Sequence, residues 1–132
     1  MRNLLVIRII IGITTMTFTG CKKNSRDVVG NYLYTSSDIQ ISLNLDIGST
    51  FVEEITIGNK KYKGTGTWSL EPSGEKLKLR SFLIPFDTRS DEIIEPPKRL
   101  LVCDMSLDPW KPGMFFDDES HDKYFLQKVK AK

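Results

Sequence analysis

From Val28 onward, apolar and polar residues alternate with a period of two. That period predicts β-strands, because successive side chains of a strand point to opposite faces. Ile39, Ile41, Leu43 and Leu45 alternate with Gln40, Ser42, Asn44 and Asp46, the pattern of a strand with one buried and one wet face. Tyr62, Gly64, Gly66, Trp68 and Leu70 alternate in the same way with Lys63, Thr65, Thr67 and Ser69. Leu77 and Leu79 alternate with Lys76, Lys78 and Arg80, and after Ser81 the apolar positions move to Phe82 and Ile84. Such a change of phase predicts a bulge. No stretch carries a helical stripe.

Turn residues separate these runs. Asp46-Ile47-Gly48-Ser49, Gly58-Asn59 and Glu71-Pro72-Ser73-Gly74 are early turns, and the segments 108–113 and 117–122 are later ones. The pattern predicts eight strands near 28–34, 39–46, 50–57, 62–70, 76–84, 99–106, 113–117 and 122–129. Short, evenly spaced strands joined by tight turns point to an all-β antiparallel meander closed into a barrel, since closure removes exposed edges. A two-sheet sandwich fits the same pattern. Pro85 to Lys98, with prolines at 85, 96 and 97, is expected to be a long loop. Ile93 and Ile94 within it could fold over an open end of the barrel.

The residues before Cys21 follow a different rule. Arg2 and Arg8 make a positive start, Ile9 to Phe18 is a short apolar run, and Thr19-Gly20 place small residues before Cys21. This is the layout of a secretory signal. The run falls short of the roughly 20 apolar residues that a spanning helix needs, so cleavage is expected. The ending Phe18-Thr19-Gly20-Cys21 resembles the lipobox of bacterial lipoproteins, with Phe18 where Leu is usual. The resemblance implies a signal peptide over 1–20, a diacylglycerol thioether on Cys21, and acylation of the new amine. Two chains give stable attachment, each buried methylene contributing roughly 0.8 kcal/mol. It also implies a cell-envelope location facing the periplasm, with the outer membrane favoured over the inner because Lys22 is not the aspartate that retains enteric lipoproteins. An ordinary signal peptide with a chance cysteine is the alternative. Residues 21–27 are read as a polar, extended tether, and 28–132 as the β domain.

Processing changes the charge balance. The chain has 19 Lys+Arg and 17 Asp+Glu; Arg2 and Arg8 lie in the signal and no acid does, leaving 17 against 17. A neutral domain lacks the basic footprint of a nucleic-acid binder. With Cys21 lipidated, Cys103 has no disulfide partner within the chain and is expected to be buried. His121 is the single histidine, so neither a Cys-His pair nor a Ser-His-Asp order is compelling. Asp117, Asp118, Glu119, His121 and Asp122 group possible metal ligands. They lack the glycine and closing glutamate of a calcium loop, and a solvated hairpin tip is expected instead. Glu53 and Glu54 adjoin on a strand and so face opposite ways, which removes them as a paired acid and base. No enzyme activity, metal or cofactor is expected.

Gly64-Thr65-Gly66-Thr67-Trp68-Ser69-Leu70, a polar turn, then Lys76-Leu77-Lys78-Leu79 resembles the middle of small lipocalin-like bacterial lipoproteins. Val29-Gly30-Asn31-Tyr32 is similar to their first strand, with Tyr32 in place of a tryptophan. The resemblance covers 28–84. It implies a binding module with a small apolar ligand at the barrel mouth, lined by Tyr62, Trp68, Ile93 and Ile94. On the residues alone, Gly64 and Gly66 beside Trp68 either seat a bulky neighbour in a narrow barrel or leave a hollow. A protein-contact module, such as an envelope assembly factor or an enzyme inhibitor, is the second functional expectation. Trp110, Phe115 and Phe116, around a proline-rich turn, are either core or a partner patch.

Overall fold

The computed structural model describes residues 23–87, 89–116 and 124–130. Cys21 and its signal segment lie outside these residues, as does the acidic group around His121. A short helix, α1 (Ser25–Val28), precedes eight strands. These are β1 (Gly30–Thr35), β2 (Ile39–Leu45), β3 (Thr50–Ile57), β4 (Lys60–Leu70), β5 (Lys76–Phe86), β6 (Ile93–Leu107), β7 (Gly113–Phe116) and β8 (Phe125–Val129). They form a closed barrel in sequence order, each strand antiparallel to its neighbours, with β8 returning to β1 through Asn31↔Val129 to Leu33↔Gln127. The meander expected from the alternation is therefore the fold, in place of the sandwich.

The alternation sets which side chains enter the core. On β2, Ile39, Ile41, Leu43 and Leu45 are buried and Gln40 and Asn44 are exposed. Phe51, Ile55, Trp68, Leu77, Leu79, Phe82, Phe86, Met105, Met114, Phe116 and Leu126 join them inside. Cys103 is buried, as expected, and its Sγ lies 3.8 Å from Met105 Sδ.

Two expectations change. The segment Pro85 to Lys98 is mostly strand, and only 87–92 connect β5 to β6. Prolines lack the ladder donor and are tolerated at bulges and edges. The β5–β6 register shifts at this place, between Ile84↔Lys98 and Phe86↔Ile93, so the prolines sit where pairing is already interrupted. At Ser81, where a bulge is expected, the backbone takes a positive φ of 65° while Arg80↔Val102 and Phe82↔Leu100 stay in step. The chain kinks there, the β4–β5 ladder ends at Arg80, and every residue from Phe82 to Phe86 is buried.

The second change concerns the tether. Its described part is docked. Asn24 caps α1 by accepting from the N–H groups of Arg26 and Asp27, and the Asp27 carboxylate accepts from Asn24 N–H in return. A reciprocal capping box of this kind starts a helix where propensity alone would not. Lys23 Nζ donates to Asp108 O at 2.9 Å and Lys128 Nζ to Asp27 O at 2.6 Å. Val28 is buried, and the Tyr32 hydroxyl donates to its carbonyl at 2.6 Å. Burial pushes the Tyr32 hydroxyl pKa up to about 12, so it remains a donor. Tyr32→Phe leaves the Val28 carbonyl without that donor, and a loss of about 1–2 kcal/mol is expected from the urea midpoint at constant m.

Candidate functional site

Strand β3 presents Phe51, Glu53, Ile55 and Ile57 to the interior and pairs with β4 so that Phe51 faces Gly66, Glu53 faces Gly64 and Ile55 faces Tyr62. The two missing side chains on β4 are filled from next door. A Cβ on Gly66 would meet the Phe51 ring at 2.6 Å and also the backbone oxygen of Arg80. On Gly64 it would meet Leu83 Cδ1 at 2.9 Å and Glu53 Oε1 at 3.1 Å. Of the two uses expected for these glycines, the structure shows the seating of bulky neighbours. Phe51 packs edge-on to Phe82 at 6.1 Å, Phe82 lies 6.1 Å from Phe116, and Phe116 lies 5.7 Å from Phe86. This run of rings follows the barrel interior. Phe86 stacks on Tyr124 at 3.9 Å, with Tyr34 beside both. Eight strands leave an interior that side chains can fill.

The expected lining residues do not converge. Trp68 is buried at the end carrying the β2–β3 turn, where its Nε1 donates to Asp46 O at 2.8 Å. Tyr62 lies six residues back along β4, about 20 Å away at the rise of a strand. It is half-buried at the opposite end, and its hydroxyl donates to Glu95 Oε2 at 2.9 Å. That bond raises the Tyr62 pKa. Ile93 is exposed and Ile94 half-buried at the start of β6, near Glu95. Tyr62 therefore shares an end with Ile93 and Ile94 but not with Trp68.

Glu53, set aside from the sequence as half of an acid–base pair with Glu54, is the residue whose inward phase has the largest consequence. Glu53 and Glu54 do face opposite ways: Glu54 is half-buried with Lys61 Nζ at 3.7 Å, whereas Glu53 is 0 % exposed. Its Oε1 accepts from Leu83 N–H at 2.5 Å, and its Oε2 has no hydrogen-bond partner among the described residues. Burial raises its pKa to about 8, against the lowering effects of the Leu83 bond and of the Arg99 charge. The signal was present: Phe51, Ile55 and Ile57 fix the inward phase of β3, and Glu53 shares it. Gly64 opposite supplies the room.

The outer wall offers a different feature. The β1–β8 ladder stops at Leu33↔Gln127. Beyond it, among the described residues, Tyr34 and Thr35 pair only with β2, and Phe125 and Leu126 only with β7. A groove of about 870 Å³ lies along this seam, lined among others by Leu33, Tyr34, Pro112, Phe125 and Val129, with Lys128 and Lys130 at one end. Phe116 is core, Phe115 is half-buried opposite Phe125 on the outer face, and Trp110 is 92 % exposed. Lys111 reaches back over the Phe125 ring at 5.9 Å. Comparison with protein-family models, with curated proteins and with solved structures found no match for this chain.

Proposed function

We propose that this protein is a lipid-anchored, lipocalin-like lipoprotein of the cell envelope that works without catalysis, as a protein-contact module. The anchor is a diacylglycerol on Cys21, and the outer membrane is its location where two membranes exist. The observation that carries the contact role is the open seam between β1 and β8, with its apolar groove on the outside of the barrel. A small ligand needs a site that encloses most of its surface, and an open wall groove does not do that. An extended segment of a partner protein needs what the seam has: strand positions not paired across it, and apolar side chains alternating beside them. The filled glycine positions of β4 argue in the same direction, because they remove space from the barrel interior.

The test has two arms. Native mass spectrometry of the mature protein is expected to show no mass beyond the chain and its own acyl groups; a retained lipid-sized ligand would overturn the reading in favour of a binding module. In cells, a photo-crosslinker at Gln127, which lines the groove, is expected to give one discrete protein adduct that disappears with Leu33→Asp. The same probe at Thr65, on the exposed face of β4, is expected to give none. Equal labelling from both positions would sink the assignment of the groove.

A further inference from the structure

Three turns and the chain start share one end of the barrel: the β2–β3 turn at 46–49, the β4–β5 turn at 71–75, the β6–β7 turn at 108–112, and α1. Two exposed apolar side chains project there, Ile47 at 61 % and Trp110 at 92 % exposure. With eight strands in ring order, these turns stand on opposite sides of the rim. The Trp110 turn is tightly built. Asp108 Oδ1 accepts from the N–H groups of Trp110 and Lys111 at 2.7 and 2.8 Å, and prolines at 109 and 112 flank it. The tryptophan is thus carried on a fixed turn and stands almost wholly outside the core.

The chain start lies against the same turn, since Lys23 Nζ is bonded to the Asp108 carbonyl. Cys21 is two residues before Lys23, a reach of about 7 Å. We infer that this end of the barrel rests on the bilayer, with Trp110 and Ile47 seated in its headgroup layer. The inference depends on the proposed lipid anchor at Cys21. A docked tether of this length leaves the domain no free height above the membrane, so the end nearest the anchor must meet the surface. The two side chains found there suit it: tryptophan concentrates at membrane interfaces, where its apolar ring is buried and its N–H stays wet. The charges beside them are mixed: Lys23 and Lys111 stand with Asp108 at the Trp110 turn, and Asp46 adjoins Ile47 in the β2–β3 turn. Apolar insertion, rather than attraction to anionic lipid, is therefore the binding force, and added salt should not release it.

The test uses the mature protein, extracted from the host membrane and reconstituted into phosphatidylethanolamine–phosphatidylglycerol liposomes with acyl chains brominated near the headgroup. Tryptophan emission is expected to shift to the blue and to be quenched by the bromines, at low and high salt alike. Trp110→Ser should abolish that quenched component and leave the far-ultraviolet circular dichroism unchanged, with the buried Trp68 as the remaining emitter. An intact mass without acyl chains would overturn the anchor, and the docking with it. An acylated protein whose Trp110 is unquenched by bromolipid and open to aqueous iodide would overturn the docking alone. Quenching that vanishes at high salt would overturn apolar insertion as the force.

Discussion

Replacing Glu53 with glutamine is expected to flatten the pH dependence of this protein's stability. The Glu53 carboxyl is fully buried, and its pKa rises from 4.5 to about 8. Between those values the folded state holds a proton that the unfolded state has released, so stability falls as pH rises. The stabilising contribution is complete below about pH 4.5 and is lost by about pH 8. A shift of this size corresponds to about 5 kcal/mol across that window, a large share of the 5–15 kcal/mol typical of a domain. Glutamine matches the protonated acid in shape and can still accept the Leu83 N–H. Wild type and Glu53→Gln should therefore unfold at similar denaturant concentrations near pH 4.5, and the variant should pull ahead steadily toward pH 9. Two parallel stability curves would mean that Glu53 does not titrate as its burial requires.

The second large effect is expected at Gly66. An alanine there brings Cβ against the Phe51 ring and the Arg80 carbonyl, and the carbonyl belongs to backbone that the β4–β5 ladder holds at Thr67↔Arg80. Overpacking a tight interior typically costs 1–3 kcal/mol, and a backbone obstacle places Gly66→Ala at the upper end, about 3 kcal/mol, read from the urea midpoint. Gly64→Ala should cost less, because the atoms that it meets first are the ends of the Leu83 and Glu53 side chains, which can turn aside. If Gly66→Ala were harmless, there would be unfilled space beside β4, and a ligand inside the barrel would again be the better reading.

These two positions also show how the sequence and the fold divide the information. The alternation on β4 marks Gly64 and Gly66 as inward-facing and raises the choice between a seat and a hollow. Only the register of β3 against β4, Phe51 opposite Gly66 and Glu53 opposite Gly64, decides it. Glu53 was legible as inward from Phe51 and Ile55, but the bond that its Oε1 accepts comes from Leu83 N–H, 30 positions away in the chain. Trp68 and Tyr62 share a face in sequence and yet lie at opposite ends of the barrel, since a face runs the whole length of a strand. Prolines 85, 96 and 97 read as a loop because proline breaks pairing. The structure instead places them at a register shift within β5 and β6, a pairing feature to which no single segment carries the clue.

The sequence by itself determined most of the strands and most of their inward side chains, because a period of two is a local property of the chain; the burial of Cys103 followed from the chemistry of a thiol in an oxidising compartment. It also led to an all-β meander, since short runs with tight turns leave little choice of partner. What only the tertiary structure decided was how the expected barrel closes: the packed ring column from Phe51 to Phe86, the enclosed Glu53 carboxyl, the short β1–β8 ladder with a groove beside it, and the docking of Lys23 beside the Trp110 turn. Each of these joins residues far apart in the chain. Contacts of that kind are fixed by register and by how far the ends of the sheet close, and neither is written in the periodicity of one strand.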